Sequence, residues 1–345
     1  MINNKKVIMF VGGGTLGSVT PLLNVWKGLS KRTSDYDAVW VGTKKGPEVD
    51  QVLPLGIKYY SVASGKLRRY FSLKNITDPF KIIIAIIQSV YLLTKIKPAV
   101  VVGAGSFVQV PLLLVAFCLR IPTIIYQMDV KTGLTNLLSS KTATAIAVAL
   151  PDVTYPWKKD KQFFVGAVAP TIKAENKGEG VVIFGGGTGA KIINDMVVDL
   201  VSNMPNDWKV THICGKGKIN KKLINKDNYV QHENLSNQEM LDLIKNSHVI
   251  VSRAGMGALF EIGAFGKPAI IIPIAKSHQE DNASYYARKN AVIAINQAEL
   301  NAEILIKEVV KIVTGNYPFL QKNIATITSY DGVDKLGALI LKHVK

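Results

Sequence analysis

The chain predicts an α/β protein made of two Rossmann-like parallel-sheet domains facing across a cleft. Three observations carry that prediction. The string GGGT occurs twice, at Gly12 to Thr15 and at Gly185 to Thr188, each time between an apolar β-type run and an amphipathic stretch. Strand, glycine turn and helix form the unit in which backbone N–H groups and a helix N-terminus face a phosphate. The length of 345 residues suits about two domains of ~150 residues, and 48% apolar against 19% charged residues is ample for two cores. Apolar β-type runs also alternate with helical ones from end to end, the signature of a parallel sheet covered on both faces.

Taken in order, Val7 to Val11 is the first strand and the segment with Leu22, Leu23, Trp26 and Leu29 at helical spacing is the first helix. Strand-like runs follow at Ala38 to Val41, Lys58 to Val62, Ala99 to Val102, Pro122 to Tyr126, Ala143 to Val148 and Gln162 to Val165. Residues 1–166 form the first domain on this reading, and the polar stretch 167–180, with Pro170, is the linker. The second domain, 181–330, repeats the grammar at Val181 to Phe184, Lys209 to Ile213, Tyr229 to Gln231, Val249 to Val251, Ala269 to Pro273 and Val292 to Ile295. A last helix with apolar periodicity occupies 331–345.

Two stretches are apolar enough to raise the question of a membrane. Ala99 to Leu119 is uncharged over 21 residues, but Gly103-Ala104-Gly105-Ser106, Gln109 and Pro111 break it into strand, loop and helix start. Phe80 to Leu93 is a 14-residue apolar helix, too short to cross. Charge says more about it. Residues 1–166 hold 21 Lys and Arg against 8 Asp and Glu, whereas 167–345 hold 21 against 17. Lys66, Arg68, Arg69, Lys74 and Lys81 precede the apolar helix, and Lys95 and Lys97 follow it. Each basic residue near an anionic bilayer contributes about 1 kcal/mol, so this collar predicts peripheral docking on an anionic membrane surface; the alternative is a solvated basic face. No RNP, zinc-finger or helix-turn-helix pattern accompanies the positive charge, and no nucleic-acid partner is expected. Cys118 and Cys214 lie in separate halves outside any C-x-x-C pair, which argues for a reducing, cytoplasmic setting. The opening Met-Ile-Asn-Asn-Lys-Lys runs into the first strand without a secretory signal.

Four loops together resemble the MurG family, inverting glycosyltransferases of the GT-B fold that move N-acetylglucosamine from its UDP donor to an undecaprenyl-diphosphate-linked muramyl pentapeptide. They are Gly13-Gly14-Thr15-Leu16-Gly17-Ser18-Val19-Thr20-Pro21; Gly103-Ala104-Gly105-Ser106-Phe107-Val108 with Pro111, followed by Gly133-Leu134-Thr135-Asn136; Gly185 to Asn194; and Ser252-Arg253-Ala254-Gly255 through Glu261 to Gly266-Lys267-Pro268-Ala269, with His278-Gln279 and Asn282-Ala283. The resemblance implies a UDP-sugar donor, a polyprenyl-diphosphate-linked glycolipid acceptor and a place on the cytoplasmic face of the cell membrane. It implies that Gly187, Thr188 and Gly189 approach the diphosphate, with Thr15, Leu16 and Gly17 also near the donor. Gly255, Met256, Gly257, Ala258, Leu259 and Glu261 lie along the uridine, the Glu261 carboxylate accepting from ribose hydroxyls. Gln279 reaches the donor sugar and Leu235 lies near the uracil. Arg253 pairs with phosphate or makes an ion pair within its domain. Gly13, Gly14, Gly103, Gly105, Ser106 and Asn136 face the acceptor.

No metal or other cofactor is expected, because helix dipoles and loop amides stabilise a leaving UDP and the five histidines show no i, i+4 pair. Asp35-Tyr36-Asp37 has the D-x-D form of metal-dependent transferases but precedes a strand and reads as a solvated turn. Three positions depart from the resembled pattern: Ser18 stands where it has His, Asp129 where its His-Glu-Gln-Asn stretch has Asn, and Gly166-Ala167-Val168-Ala169-Pro170 lacks its Arg. A serine hydroxyl is a poor base near neutral pH. The catalytic candidates are therefore Asp129, taking the acceptor's proton, and Ser18, positioning the hydroxyl; Asp129 as a turn or cap residue is the alternative. Other readings are a related transferase with a different glycolipid acceptor, a UDP-sugar 2-epimerase, and a donor-binding protein with little turnover.

Overall fold

Each half of the chain hangs on runs of Val, Ile and Ala that are buried on both sides and so can only be central parallel strands. The structure is a computed structural model that describes residues 5–63, 65, 74–169, 178–187, 189–205, 207–223, 226–315 and 318–344, with side chains of the third long helix from residue 80. Thr188, Lys66, Arg68, Arg69, the Lys74 side chain and linker positions 170–177 lie outside the described residues.

The first unit contains β1 (Lys6–Val11), α1 (Thr20–Arg32), β2 (Tyr36–Gly42), α2 (Glu48–Val52), β3 (Lys58–Ser61), α3 (Lys74–Ile96), β4 (Val100–Gly103), α4 (Gln109–Cys118), β5 (Thr123–Gln127), α5 (Leu134–Ser139), β6 (Ala145–Val148) and β7 (Gln162–Phe164). Its seven strands run in the order β3-β2-β1-β4-β5-β6-β7, and every neighbouring pair is parallel. The second unit contains β8 (Val181–Phe184), α6 (Lys191–Asn203), β9 (Val210–Ile213), β10 (Tyr229–His232), α7 (Asn237–Asn246), β11 (Val249–Ser252), α8 (Met256–Ala264), β12 (Ala269–Ile271), α9 (His278–Arg288), β13 (Ile293–Ala294), α10 (Ala302–Thr314) and α11 (Pro318–Thr326). Its strand order is β10-β9-β8-β11-β12-β13, again all parallel.

In both sheets the order reverses direction once, between β1 and β4 and between β8 and β11. Ligands of open parallel sheets bind outside the carboxyl ends of the strands at such a switch. The four glycine-containing loops picked out by sequence leave the carboxyl ends of those four strands. Asp35-Tyr36-Asp37 sits at the opposite, amino end of β2, where Asp35 accepts from the Thr33 hydroxyl and Asp37 pairs with Lys5.

Residues 167–169, read from sequence as the start of the linker, are buried backbone of the first unit. Val168 N–H donates to the Tyr126 hydroxyl, which itself donates to Gly166 O. Ala167 bonds Ser329 O at 2.7 Å and accepts from Gly332 at 3.2 Å. The chain thus returns, after the second unit, to the first. Its last helix, α12 (Gly332–His343), packs on α1, and the first unit comprises residues 1–169 and 329–345. The apolar spacing of Val333 to Val344 signals an amphipathic helix, but such spacing does not say which core receives it.

The apolar helix read at Phe80 to Leu93 extends over Lys74–Ile96. Ala85, Leu92 and Leu93 are buried, and α3 packs on α4. Phe80, Ile83, Ile84, Ile87 and Tyr91 are all more than 45% exposed and recur at i, i+3, i+4, i+7 and i+11, so one side of the helix is an uncovered apolar stripe. Leu114, Phe117 and Leu119, on and just after α4, are also exposed. Among the described residues no helix is long and apolar enough to cross a membrane.

Candidate active site

In the second unit, the turn after β8 is closed by Gly189 N–H donating to Gly186 O, and Gly187 is exposed. Gly189 has φ +69°, and a Cβ there would run into the carbonyl of Cys214 just past β9, so glycine is required. The helix that follows, α6, starts at Ala190 without a side-chain cap. Among the described residues no side chain caps its first turn, the arrangement that attracts an anion. The turn is held from behind. Asn194 donates from Nδ2 to Cys214 O, and its Oδ1 accepts from His212 Nε2 at 3.1 Å. That assignment leaves His212 Nδ1 as an acceptor for the Tyr229 hydroxyl at 2.8 Å. Burial pushes His212 down to about 4, so the ring is neutral and the network keeps one tautomer.

The second loop, after β11, leads into α8, which begins at Gly255 and is also uncapped by a side chain. Fully buried Asn282 on α9 donates to Ala254 O, tying α9 to this loop. Arg253 donates from Nη1 to the carbonyls of Ile272 and Pro273, while its buried Nε has no partner among the described residues. Its guanidinium thus braces the end of β12, and among the described residues no ion pair accounts for its burial. On α8, Met256 and Leu259 are buried in the core, while exposed Gly257 and half-buried Ala258 share a face with Glu261 at i+4 and i+3. The Glu261 carboxylate has no hydrogen-bond partner among the described residues, and burial pushes it up to about 7. Gln279, in the first turn of α9, accepts from Ile274 N–H with Oε1. Leu235 is half-buried in the loop after β10.

The first unit builds its loops from buried amides. Gln109, fully buried, accepts from Gly105 N–H and donates to Asn136 Oδ1 at 2.9 Å and to Ser139 Oγ at 3.0 Å. Asn136 donates to Tyr126 O and to Gln127 Oε1, and Gln127 donates to Asp129 O at 2.6 Å. Ser106 donates to Gly13 O and accepts from Val108 N–H, and Thr135 donates to Gly105 O. Asn136 and Ser106 are 5% and 3% exposed, so their side chains are spent on shaping the loops around Gly103 and Gly105. Ser18 ends a 3-10 turn, Leu16–Ser18, and its hydroxyl lies 3.4 Å from Thr15 O, to which it donates. Asp129 is half-buried, and its carbonyl also accepts from the Tyr155 hydroxyl. β1 and β5 both flank β4. The loops carrying Ser18 and Asp129 therefore rise from one edge of one sheet, about 10 Å apart at two strand spacings. Gln109, Gln127, His212 and Glu48 escaped the sequence reading.

Residues 8–148 match the Glycosyltransferase family 28 N-terminal domain and residues 180–335 its C-terminal domain. A protein of Clostridium tetani (strain Massachusetts / E88), named UDP-N-acetylglucosamine--N-acetylmuramyl-(pentapeptide) pyrophosphoryl-undecaprenol N-acetylglucosamine transferase, is 32% identical over 98% of both chains. A protein of Legionella pneumophila (strain Paris) with the same name is 34% identical over 96% of both. The chain belongs to the MurG family. The crystal structure of Acinetobacter baumannii MurG superposes with a TM-score of 0.78 at 22% identity, covering 98% of this chain and 99% of that one. The fold is not confined to MurG relatives: a Neisseria meningitidis UDP-GlcNAc 2-epimerase bound to UDP-GlcNAc has a TM-score of 0.69 at 16% identity, covering 98% and 100%. Seen beside that membership, the four MurG-like loops all stand at switch points, and two of the three departures from the MurG pattern, Ser18 and Asp129, fall in the first unit, while Pro170, at the position of the missing Arg, lies outside the described residues. Among the described residues no group of three His, Cys, Asp or Glu side chains is arranged to hold a metal ion.

Proposed function

We propose that this chain is an inverting transferase that moves N-acetylglucosamine from UDP-GlcNAc to an undecaprenyl-diphosphate-linked muramyl pentapeptide at a membrane surface. The observation that carries the donor half is Glu261. A half-buried carboxylate without a hydrogen-bond partner among the described residues, on the open face of a helix whose N-cap is glycine, suits two ribose hydroxyls as donors and a nearby diphosphate. The start of α6, with Gly187 and Thr188, takes the leaving UDP by its amides and dipole, and this reading needs no metal. In the first unit Asp129 accepts the proton of the acceptor hydroxyl as the anomeric carbon is attacked from the face opposite UDP, and Ser18 orients that hydroxyl.

The uncovered stripe of α3 favours a lipid-linked acceptor over the soluble substrate of an epimerase. Lys95 and Lys97 are exposed at and just past its end and Lys81 is half-buried near its start, so apolar insertion and attraction to anionic headgroups act on one helix. Incubation with radiolabelled UDP-GlcNAc and membranes containing the lipid-linked acceptor is the test, and labelled lipid is the expected product. Asp129→Asn is expected to lower kcat by about 100-fold or more with donor affinity intact. Free epimerised sugar in place of labelled lipid would overturn the reading, and full turnover by the variant would remove Asp129 from it.

A further inference from the structure

Glu48 is a fully buried carboxylate in the most basic part of a basic chain, and the reaction described above does not use it. It stands at the start of α2, behind the first GGGT loop. Its Oε2 accepts from Gly14 N–H at 3.0 Å, 34 residues away, and its Oε1 accepts from Thr43 N–H at 2.7 Å, from the Thr43 hydroxyl, and from the Tyr59 hydroxyl at 3.3 Å. Tyr59 donates more strongly to Thr43 O, at 2.6 Å. Cβ atoms on Gly13 or Gly46 would run into this carboxylate, so the chain leaves side chains off to make room for it. Burial alone would raise its pKa, but the bonds from Thr43 and Gly14 outweigh that and hold it below the usual carboxylate range. It is ionised at neutral pH.

The same three glycines are pinned one after another. Trp40 Nε1 donates to Gly12 O at 2.8 Å, Ser106 donates to Gly13 O at 3.1 Å, and Gly14 N–H goes to Glu48. From Ser106 the adjoining loop passes through Gly105, Gln109, Asn136 and Gln127 to the carbonyl of Asp129. The four loops at the carboxyl ends of β2, β1, β4 and β5 are therefore joined by buried and partly buried hydrogen bonds. This is also where the two GGGT copies part: in the first, the Gly14 amide is turned inward to a carboxylate and is not available to a phosphate.

We infer that Glu48 is a positioning residue for the acceptor, holding the first glycine loop, and with it the linked loop of Ser106, in the shape the acceptor meets. The inference rests on the reading that these loops face the lipid-linked acceptor. It predicts a one-sided defect. On either side of the carboxylate, Glu48→Gln puts an amide NH₂ against a backbone N–H that can only donate, Gly14's or Thr43's, so the loop is released, while the donor set outside Thr15, Leu16 and Gly17 is in the second unit and is untouched.

The experiment measures three quantities in wild type and Glu48→Gln: affinity for UDP-GlcNAc by calorimetry, affinity for the detergent-solubilised lipid-linked acceptor, and amide hydrogen exchange over residues 12–18. Expected are an acceptor affinity weaker by about tenfold or more and loop exchange faster by a similar factor, with donor affinity within about twofold. Equal weakening of donor and acceptor, or a loop as protected as in wild type, would overturn the inference. Should Glu48→Gln fail to fold, Tyr59→Phe and Thr43→Val each remove one donor and are expected to shift the same two quantities less far, in the same direction. A wild type that binds UDP-GlcNAc but not the lipid would count against the acceptor reading, while loop exchange would still decide whether Glu48 holds the loop.

Discussion

Two carboxylates, Glu261 and Glu48, show how far apart the environment can push one side-chain type. Burial raises Glu261 to about 7, while hydrogen bonds hold Glu48 low. Because the folded-state pKa of Glu261 lies above the ordinary glutamate value of 4.5, its protonated form is favoured by folding, and its contribution to stability falls as pH rises from 4.5 through 7. Under the proposed function donor binding runs the other way, since ribose hydroxyls would donate to the ionised form. UDP-GlcNAc affinity is expected to increase by about tenfold between pH 6 and pH 8, measured by calorimetry with the sugar nucleotide, whose phosphates do not titrate there. Glu261→Gln is expected to bind about tenfold more weakly and with a flat pH profile; a sloping profile in that variant would assign the titration elsewhere. Glu261 was legible in sequence because its spacing from Gly255 is local to one helix. Glu48 was not, because its meaning comes from Gly14, distant in sequence and brought close only by the pairing of β1 with β2.

The strands were legible as elements, since Val181–Phe184 and Val249–Ser252 could hardly be anything else, and their ends came within a residue or two. Helix α3 was legible only in part. Its apolar run announced a helix, but which side would stay uncovered is decided by packing on α4, a contact that periodicity does not contain. The stripe makes a prediction of its own: Ile83→Glu and Ile87→Glu, both on the exposed side, are each expected to reduce binding to anionic liposomes by about tenfold, in a sedimentation assay. UDP-GlcNAc affinity in solution is expected to stay at the wild-type value, because α3 carries none of the residues read as meeting the donor. Unchanged liposome binding would return the stripe to an ordinary solvated surface.

At the scale of the whole molecule, the first unit is assembled from two separated pieces of chain. Leu336 and Ile340 on α12 are fully buried, and Gly337 lies against Leu29 of α1. The Arg32–Asp334 ion pair across this contact is more than half exposed on both sides and adds little. Leu336→Ala is therefore expected to destabilise the first unit by about 2–5 kcal/mol, read as an earlier denaturant transition for that unit with the second unchanged. The return of α12 also sets an order of events in time. Residues 170–328 are synthesised between its two pieces, so the first unit lacks the wall that Leu336 and Ile340 supply until the second unit has been made. The piece of the first unit made last thus completes the unit begun first, whose folding cannot finish while the chain is still being elongated through the second.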